Sequence, residues 1–286
     1  MSNVFITGAT GGIGEPTVRA LAERGHRVFA GVRAMDRAKA LDGLAGVEPV
    51  VVDVTDEDSV RRAAHDVAGR LGGTRLDAVV NNAGIIVEGP LELVPESELE
   101  RELRVNVLGP AAVIRAFLPL LRAARGRVVN VTAPTARRAV PYNGPISASK
   151  AALESLSVAL RGELATWGVR VVIVEPAATD TPIFDLAAHA ADASYRTADP
   201  GVLELYAPRI ESVRRTAAGM TLADPGAVAK VLVRAITTPR PRTMYTAGRG
   251  AGLLPMLAHL PDRVSDALVN RAIGLTGVHQ AASAPR

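Results

Sequence analysis

Glycine spacing offers the first chemistry in this sequence. In Val4-Phe5-Ile6-Thr7-Gly8-Ala9-Thr10-Gly11-Gly12-Ile13-Gly14, a short apolar run meets a turn of glycine and small residues, and the amphipathic segment Glu15 to Arg24 follows at once. Strand, turn and helix in that order build an anion cradle, because bare backbone N–H groups and the positive end of a helix converge on one point. Gly8 turns where a side chain would clash, Gly12 lets a pyrophosphate approach the backbone, and Gly14 lets the helix close on the strand. Thr10 and Ile13 fall inside the same cradle. In a dinucleotide fold, a carboxylate about 20 residues past the glycines selects the ribose 2′-hydroxyl of NAD. Here the second apolar run ends in Gly31-Val32-Arg33 with no acid before Asp36, and a guanidinium offers a fork to a 2′-phosphate. NADP(H) is therefore expected in preference to NAD(H); the alternative reading of Arg33 is an ordinary surface arginine.

Composition narrows the function classes. The 286 residues are 48% hydrophobic, enough for one large core. The absence of cysteine excludes disulfides, thiolate catalysis and cysteine metal sites, and the five histidines are too dispersed to suggest a metal cluster. The first strand pattern begins at Val4, leaving no room for a cleaved signal, and no apolar run approaches the ~18 residues of a membrane span. These features predict a cytoplasmic protein. The net charge is +4, with the basic excess late in the chain. Those arginines are scattered and lack an aromatic platform, so they read as a solvated surface and not as a nucleic-acid groove.

The elements that must position the cradle alternate between strand and helix patterns. Strands are expected at 26–32, 47–52, 76–80, 128–131, 169–174 and 240–245, and helices at 36–44, 59–71, 96–125, 144–166 and 224–236, the long one kinked at Gly109-Pro110. This alternation predicts an α/β fold: a doubly wound parallel sheet flanked by helices on both faces, with ligands at the carboxyl ends of the strands. No linker or repeat divides residues 1–286, so one domain is expected. Residues 178–220, rich in Ala, Thr and Asp, read as an insertion covering the site, and 251–286 as a C-terminal extension with an amphipathic stretch, Leu253 to Ile273.

The Thr7-Gly8…Gly14 turn, the strand end Asn81-Asn82-Ala83-Gly84, Asn106 in Val105-Asn106-Val107 and the run Ser147-Ala148-Ser149-Lys150-Ala151-Ala152-Leu153 together resemble the short-chain dehydrogenase/reductase family. The resemblance runs from residue 3 to about residue 250 and implies a Rossmann-type fold, NAD or NADP as cofactor, and a homodimer or homotetramer built through the two long helices. It places Asp53 and Val54 beside the adenine, Asn82, Ala83 and Gly84 along the nicotinamide ribose, and Pro176 to Thr181 over the nicotinamide, with Thr181 on its carboxamide or a phosphate. Asp53 also reads as the cap of the following helix. The glycine that usually follows the proline is Ala177 here. Lys150 would bind the ribose, and Asn106 would fix that lysine through a water or the backbone.

In that family a tyrosine four residues before the lysine protonates the nascent alkoxide, and a serine thirteen residues before the tyrosine bonds the carbonyl oxygen. These positions hold Ile146 and Ala133. An isoleucine moves no proton and an alanine orients no oxygen, while the residues that serve the cofactor remain. Three readings stay open. Hydride transfer to a small hydrophobic enone, conjugated alkene or ketone could use Tyr142 as proton donor, with Thr135, of the same strand parity as Ala133, as a further hydroxyl. Tyr142 also reads as a ring simply packed in the cleft or on a subunit surface. A non-redox cyclisation, isomerisation or elimination could run in a pocket walled by Ile146 and Ala133. The third reading is a catalytically silent subunit.

Overall fold

A computed structural model describes residues 1–248 and 250–276. Strands β1 (Asn3–Ile6), β2 (Arg27–Val32), β3 (Val47–Val51), β4 (Ala78–Asn81), β5 (Arg127–Val131), β6 (Arg170–Pro176) and β7 (Met244–Ala247) form one sheet in the order β3-β2-β1-β4-β5-β6-β7. Every neighbouring pair is parallel. The chain winds outward from β1 in one direction and returns through β4 in the other, which opens a crevice at the carboxyl ends of β1 and β4.

Side-chain alternation along the strands feeds two apolar layers. Val4 and Ile6 face α1 (Gly14–Ala22) and α8 (Pro225–Thr237), where Val18, Leu21, Val228 and Leu232 are fully buried. Phe5 faces the opposite layer, formed by α2 (Glu57–Leu71) and α4 (Gly109–Ala124), and stacks on Phe117 with ring centroids 4.3 Å apart. Burying a phenylalanine of this kind stabilises a fold by about 2–3 kcal/mol. The fully buried polar chain Asn81 to Asn130 to Ser157 (2.8 Å for each bond) pins α5 (Gly144–Leu164) to β4 and β5.

Four expectations are corrected. The segment expected as a helix over 36–44 is a 3-10 turn, Met35–Leu41, stopped by Gly43 and Gly46, both at positive φ. The last strand starts at Met244 and not Arg240, because Pro239 and Pro241 have no N–H for the ladder. The long helix breaks ahead of Gly109-Pro110: α3 (Glu96–Leu103) passes through a π turn, Arg104–Leu108, before α4 begins. Among the described residues this run, Glu96–Ala124, is long and apolar enough by length and composition to cross a bilayer, contrary to the expectation from the sequence. Its apolar face is nonetheless used in the core, through Val113, Ile114, Phe117 and Leu121.

The segment 178–220 folds as two helices, α6 (Ile183–Thr197) and α7 (Pro200–Ala218). The extension forms α9 (Leu253–Leu257) and α10 (Asp262–Ala272), divided at Pro261. Arg138 pairs with Asp266 of α10, and Ser212 of α7 donates to the Gly274 carbonyl (2.6 Å), so the extension packs beside the turn after β5 and the end of α7. The part of the extension over 277–286 lies outside the described residues.

Two glycines make the β1–α1 turn possible. Gly8 sits at φ 62°, and a Cβ on Gly14 would overlap the Gly8 carbonyl oxygen, a backbone atom with nowhere to go. The Gly14→Ala variant should therefore lose about 2–3 kcal/mol of stability in urea unfolding, whereas Gly11→Ala, whose Cβ would meet only the Gly8 carbonyl oxygen at 3.3 Å, should lose far less. Equal losses would refute this account of the turn.

Candidate active site

Hydrogen bonds tie the ends of β1 and β4 into one unit. The Thr7 hydroxyl accepts from the amides of Asn82 and Ala83, each at 3.1 Å. Asn82 Nδ2 donates back to the carbonyls of Thr7 (3.1 Å) and Gly8 (3.0 Å). Expected as a cofactor contact, Asn82 thus uses its amide group to brace the glycine turn, and Ala83 lies against Gly8.

The braced turn fits a pyrophosphate. Gly11 donates to the Gly8 carbonyl (3.0 Å), but the amides of Gly12 and Ile13 have no protein acceptor among the described residues. They stand at the start of α1, so free donors and the helix dipole share a direction. Thr10 is half-buried beside them. Thr181, on the loop after Pro176, lies over Gly12, and its hydroxyl donates to the Thr179 carbonyl (3.2 Å). Ala177, where a glycine was expected, is accommodated because Gly248 across the sheet edge has no side chain to collide with it. Its amide donates to Ala247 (2.7 Å).

Farther along the groove, Arg33 is exposed at the end of β2 and makes no ion pair among the described residues. Asp53 accepts from the amide (2.9 Å) and hydroxyl (2.7 Å) of Thr55. It does not cap α2; that cap is Asp56, which accepts from the Asp58 amide. Val54 packs on Gly109 at the head of α4.

Lys150, Asn106 and Gly84 come together at one point. A Cβ on Gly84 would lie 3.2 Å from Asn106 Oδ1 and 3.4 Å from Lys150 Nζ. Lys150 Nζ donates to the Val131 carbonyl at 3.0 Å. Asn106 sits in the π turn, where its Oδ1 accepts from the Ile85 amide (3.0 Å) and its Nδ2 donates to the Ile85 carbonyl (2.9 Å). It shares a wall with the lysine without bonding to it directly.

A residue that sequence reasoning missed completes this floor. Glu102, one helical turn before Asn106, is fully buried. Its Oε1 accepts from Ser149 Oγ at 2.8 Å and from Asn106 Nδ2. Burial pushes its carboxyl up to about 7, against the opposing pull of Ser149, Lys150 and Asn106. Burial likewise brings the Lys150 ammonium down to about 8, with Glu102 opposing. The one signal for this in sequence was the four-residue spacing from Asn106 on a helix.

Ile146 is buried one turn before Lys150, and Ala133 is extended just past β5. The parity argument for Thr135 fails, because β5 ends at Val131 and residues 134–136 form a 3-10 turn. Buried hydroxyls do remain nearby without partners, at Thr132 and Thr135. Tyr142, at φ 66°, lines a cavity of about 500 Å³ with Pro90, Leu91, Glu92 and Tyr206. Burial raises its hydroxyl, and Arg209 opposes. No hydrogen bond joins it to Lys150 among the described residues. A second phenol, Tyr195 of α6, was not anticipated: it touches Gly89, whose amide donates to the Tyr142 carbonyl (2.7 Å). Burial pushes Tyr195 up to about 12. Glu88 beside it is half-buried, and that burial raises its carboxyl, with Arg214 opposing.

Comparison with known proteins gives three findings. Residues 2–191 match the family described as short chain dehydrogenase. Over 278 residues, 93% of this chain and 87% of the relative, the sequence is 36% identical to retinol dehydrogenase 5 of Mus musculus. Among solved structures, a short-chain dehydrogenase from Streptomyces avermitilis superposes with a TM-score of 0.75 at 29% identity, covering 94% of this chain and 97% of that one. One from Burkholderia cenocepacia in complex with NADP gives 0.72 at 26% identity, with the same coverage of both chains.

The fold holds the Glu102 proton more tightly than the unfolded chain, whose carboxyl has the ordinary value of 4.5, so stability should fall as pH rises from there through about 7. A glutamine removes that loss. Between pH 5 and 7.5 the stability of Glu102→Gln relative to the native chain should improve by about 2 kcal/mol in urea unfolding. A constant difference across this range would show that Glu102 does not titrate in the fold.

Proposed function

From its membership of the short-chain dehydrogenase family, and as an oxidoreductase of that family, we propose that this chain uses NADP(H) and a non-standard site to transfer hydride to a hydrophobic enone, conjugated alkene or ketone. The observation that carries the proposal is the contrast within α5. Lys150 keeps its place under β5 beside Asn106 and Gly84, while hydrocarbon stands at Ile146, one turn earlier, and at Ala133. The cofactor, when bound, supplies the hydride. Gly12, Ile13 and Gly14 would hold its pyrophosphate, Arg33 its 2′-phosphate, Asp53 and Val54 its adenine side, and Lys150 its nicotinamide ribose.

Preference for NADP(H) rests on the exposed Arg33 and on the NADP carried by the Burkholderia relative. Hydrophobic substrates are supported by Ile146 and Ala133, and by the name of the mouse relative, since retinol is an apolar polyene alcohol. An alkene that takes hydride at carbon is also reprotonated at carbon, so it does not require a phenol at position 146. For an enone, Tyr142 is the proposed donor at the oxygen. A non-redox reaction in the same pocket is the second reading, favoured by the same two hydrocarbon positions. A homo-oligomer and a cytoplasmic location complete the proposal.

Titration with each nucleotide, followed by nicotinamide fluorescence, tests the cofactor. NADPH should bind at micromolar concentration, and Arg33→Ala should weaken NADPH about tenfold or more while leaving NADH unchanged, since loss of a charged phosphate contact costs ~1.5–3 kcal/mol. Failure of both nucleotides to bind would favour the non-redox reading. With a conjugated enone as acceptor and NADPH absorbance as readout, Tyr142→Phe should slow turnover at least about tenfold, within the range of a single acid–base group. An unchanged rate would remove Tyr142 from the mechanism.

A further inference from the structure

Glu102 is a carboxylate in a place where burial penalises charge, and the nucleotide-binding reading gives it no work. It lies entirely inside the protein, between the π turn and α5. One oxygen takes hydrogen bonds from Ser149 and Asn106, and the other has no side-chain partner. A buried acid in this setting is costly unless a buried cation offsets it. The next residue after Ser149 is Lys150, whose ammonium is bonded to a neutral carbonyl, that of Val131.

Asn106 stands between the two charges: its Nδ2 donates to Glu102 Oε1, while its Oδ1 and Lys150 Nζ flank Gly84, 3.2 Å and 3.4 Å from where a Cβ would stand. On the side of α5 the groups near Glu102 are Ser149 and Lys150; on the side of the loop after β4, the amide of Val87; and on its own helix, Asn106. Lys150 in turn has Glu102 as the charge that bears on it. We propose that Glu102 is a positioning residue: the buried counter-charge that keeps Lys150 protonated at the base of the groove, and so sets the pH range in which the lysine can hold a ribose. Ser149 links the pair geometrically. Its hydroxyl donates to Glu102, and its alternative acceptor is the carbonyl of Ile146 at 3.0 Å. When Glu102 takes up a proton, Ser149 is free to turn to Ile146, and Lys150 loses its opposing charge.

Only the consequence for ribose binding rests on the cofactor reading; the pairing itself does not. The sequence contains three lysines, Lys39, Lys150 and Lys230, and the other two are exposed. The full chain labelled with 13C at lysine Cε should therefore give three resonances, identified by a Lys150→Met variant. In the nucleotide-free protein, Lys150 should titrate well below the ordinary ~10.4 of a free lysine side chain, with a second inflection from Glu102. Glu102→Gln should abolish that inflection and lower the Lys150 midpoint by about one pH unit, as expected for loss of a close opposite charge. A single Lys150 step near the free-lysine value of ~10.4, or a midpoint that ignores Glu102→Gln, overturns the proposal. If the variant does not fold, the two-step titration of the native chain decides alone. NADPH binding between pH 6 and 9 then tests the consequence: the pH at which affinity declines should move down in Glu102→Gln by the same amount. Absence of NADPH binding would remove the cofactor reading and leave the NMR result standing.

Discussion

An ammonium group taken out of water has to be stabilised by whatever surrounds it, and in this protein that requirement falls at the carboxyl edge of the sheet. Lys150 has one hydrogen bond, to Val131 at the end of β5, and one buried countercharge, Glu102. Both are supplied by elements that must pack before the site exists. The β5 carbonyl is available because β5 ends there and the chain leaves the ladder. Glu102 reaches inward because α3 runs into a π turn that directs Asn106 at Ile85 and holds the helix against α5. The energy of a buried pair depends strongly on geometry, so the precision of the floor rests on the π turn as much as on the two charged groups.

The opposite wall of the groove is built on different physics. The glycine turn carries no charge of its own; it works through unpaired backbone donors and a helix dipole. Such donors remain unpaired only if the turn cannot relax to satisfy them. Asn82 prevents that relaxation by occupying the carbonyls of Thr7 and Gly8, while Thr7 holds the amides of residues 82 and 83. The turn is therefore rigid from its acceptor side and open on its donor side. The Asn81-Asn130-Ser157 chain then ties the same strand end to the helix that bears Lys150. Hydrogen bonds thus run from the strand end beside the anion cradle to the helix that carries the buried ammonium.

How far all this could be read from the residues follows from the range of each interaction. The alternation of apolar strands with amphipathic helices is a local signal, and it gave the parallel sheet, its winding and the phosphate turn. Lys150, Asn106 and Gly84 were legible as motif positions. Local patterns misled where a backbone rule overrode them: two prolines delayed β7, and the break in the long helix arose at a π turn that no residue type announces. Beyond the four-residue spacing of Glu102 from Asn106, neither Glu102 nor Tyr195 was legible, because their burial depends on elements distant in sequence. A glutamate in an acidic helix looks solvated until the opposing helix is placed, and Tyr195 gains its environment from the loop before Pro90.

The hydrocarbon at position 146 and the acid at position 102 belong to one argument. Ile146 and Lys150 lie one turn apart on the same face of α5, so the side chain at 146 determines what shields the ammonium on that side. A phenol there would offer an oxygen able to share hydrogen bonds with the lysine. An isoleucine offers only desolvation, which drives the lysine towards its neutral form. On the proposed reading of the site, a protein that keeps Lys150 charged after that exchange needs a second source of negative potential. It must come from beneath, since the face above has become apolar. Glu102 lies on that side, bonded to the residue adjacent to Lys150, and its own burial is tolerable because the lysine faces it. On that reading, the hydrocarbon above the floor and the carboxylate below it are two parts of a single electrostatic balance.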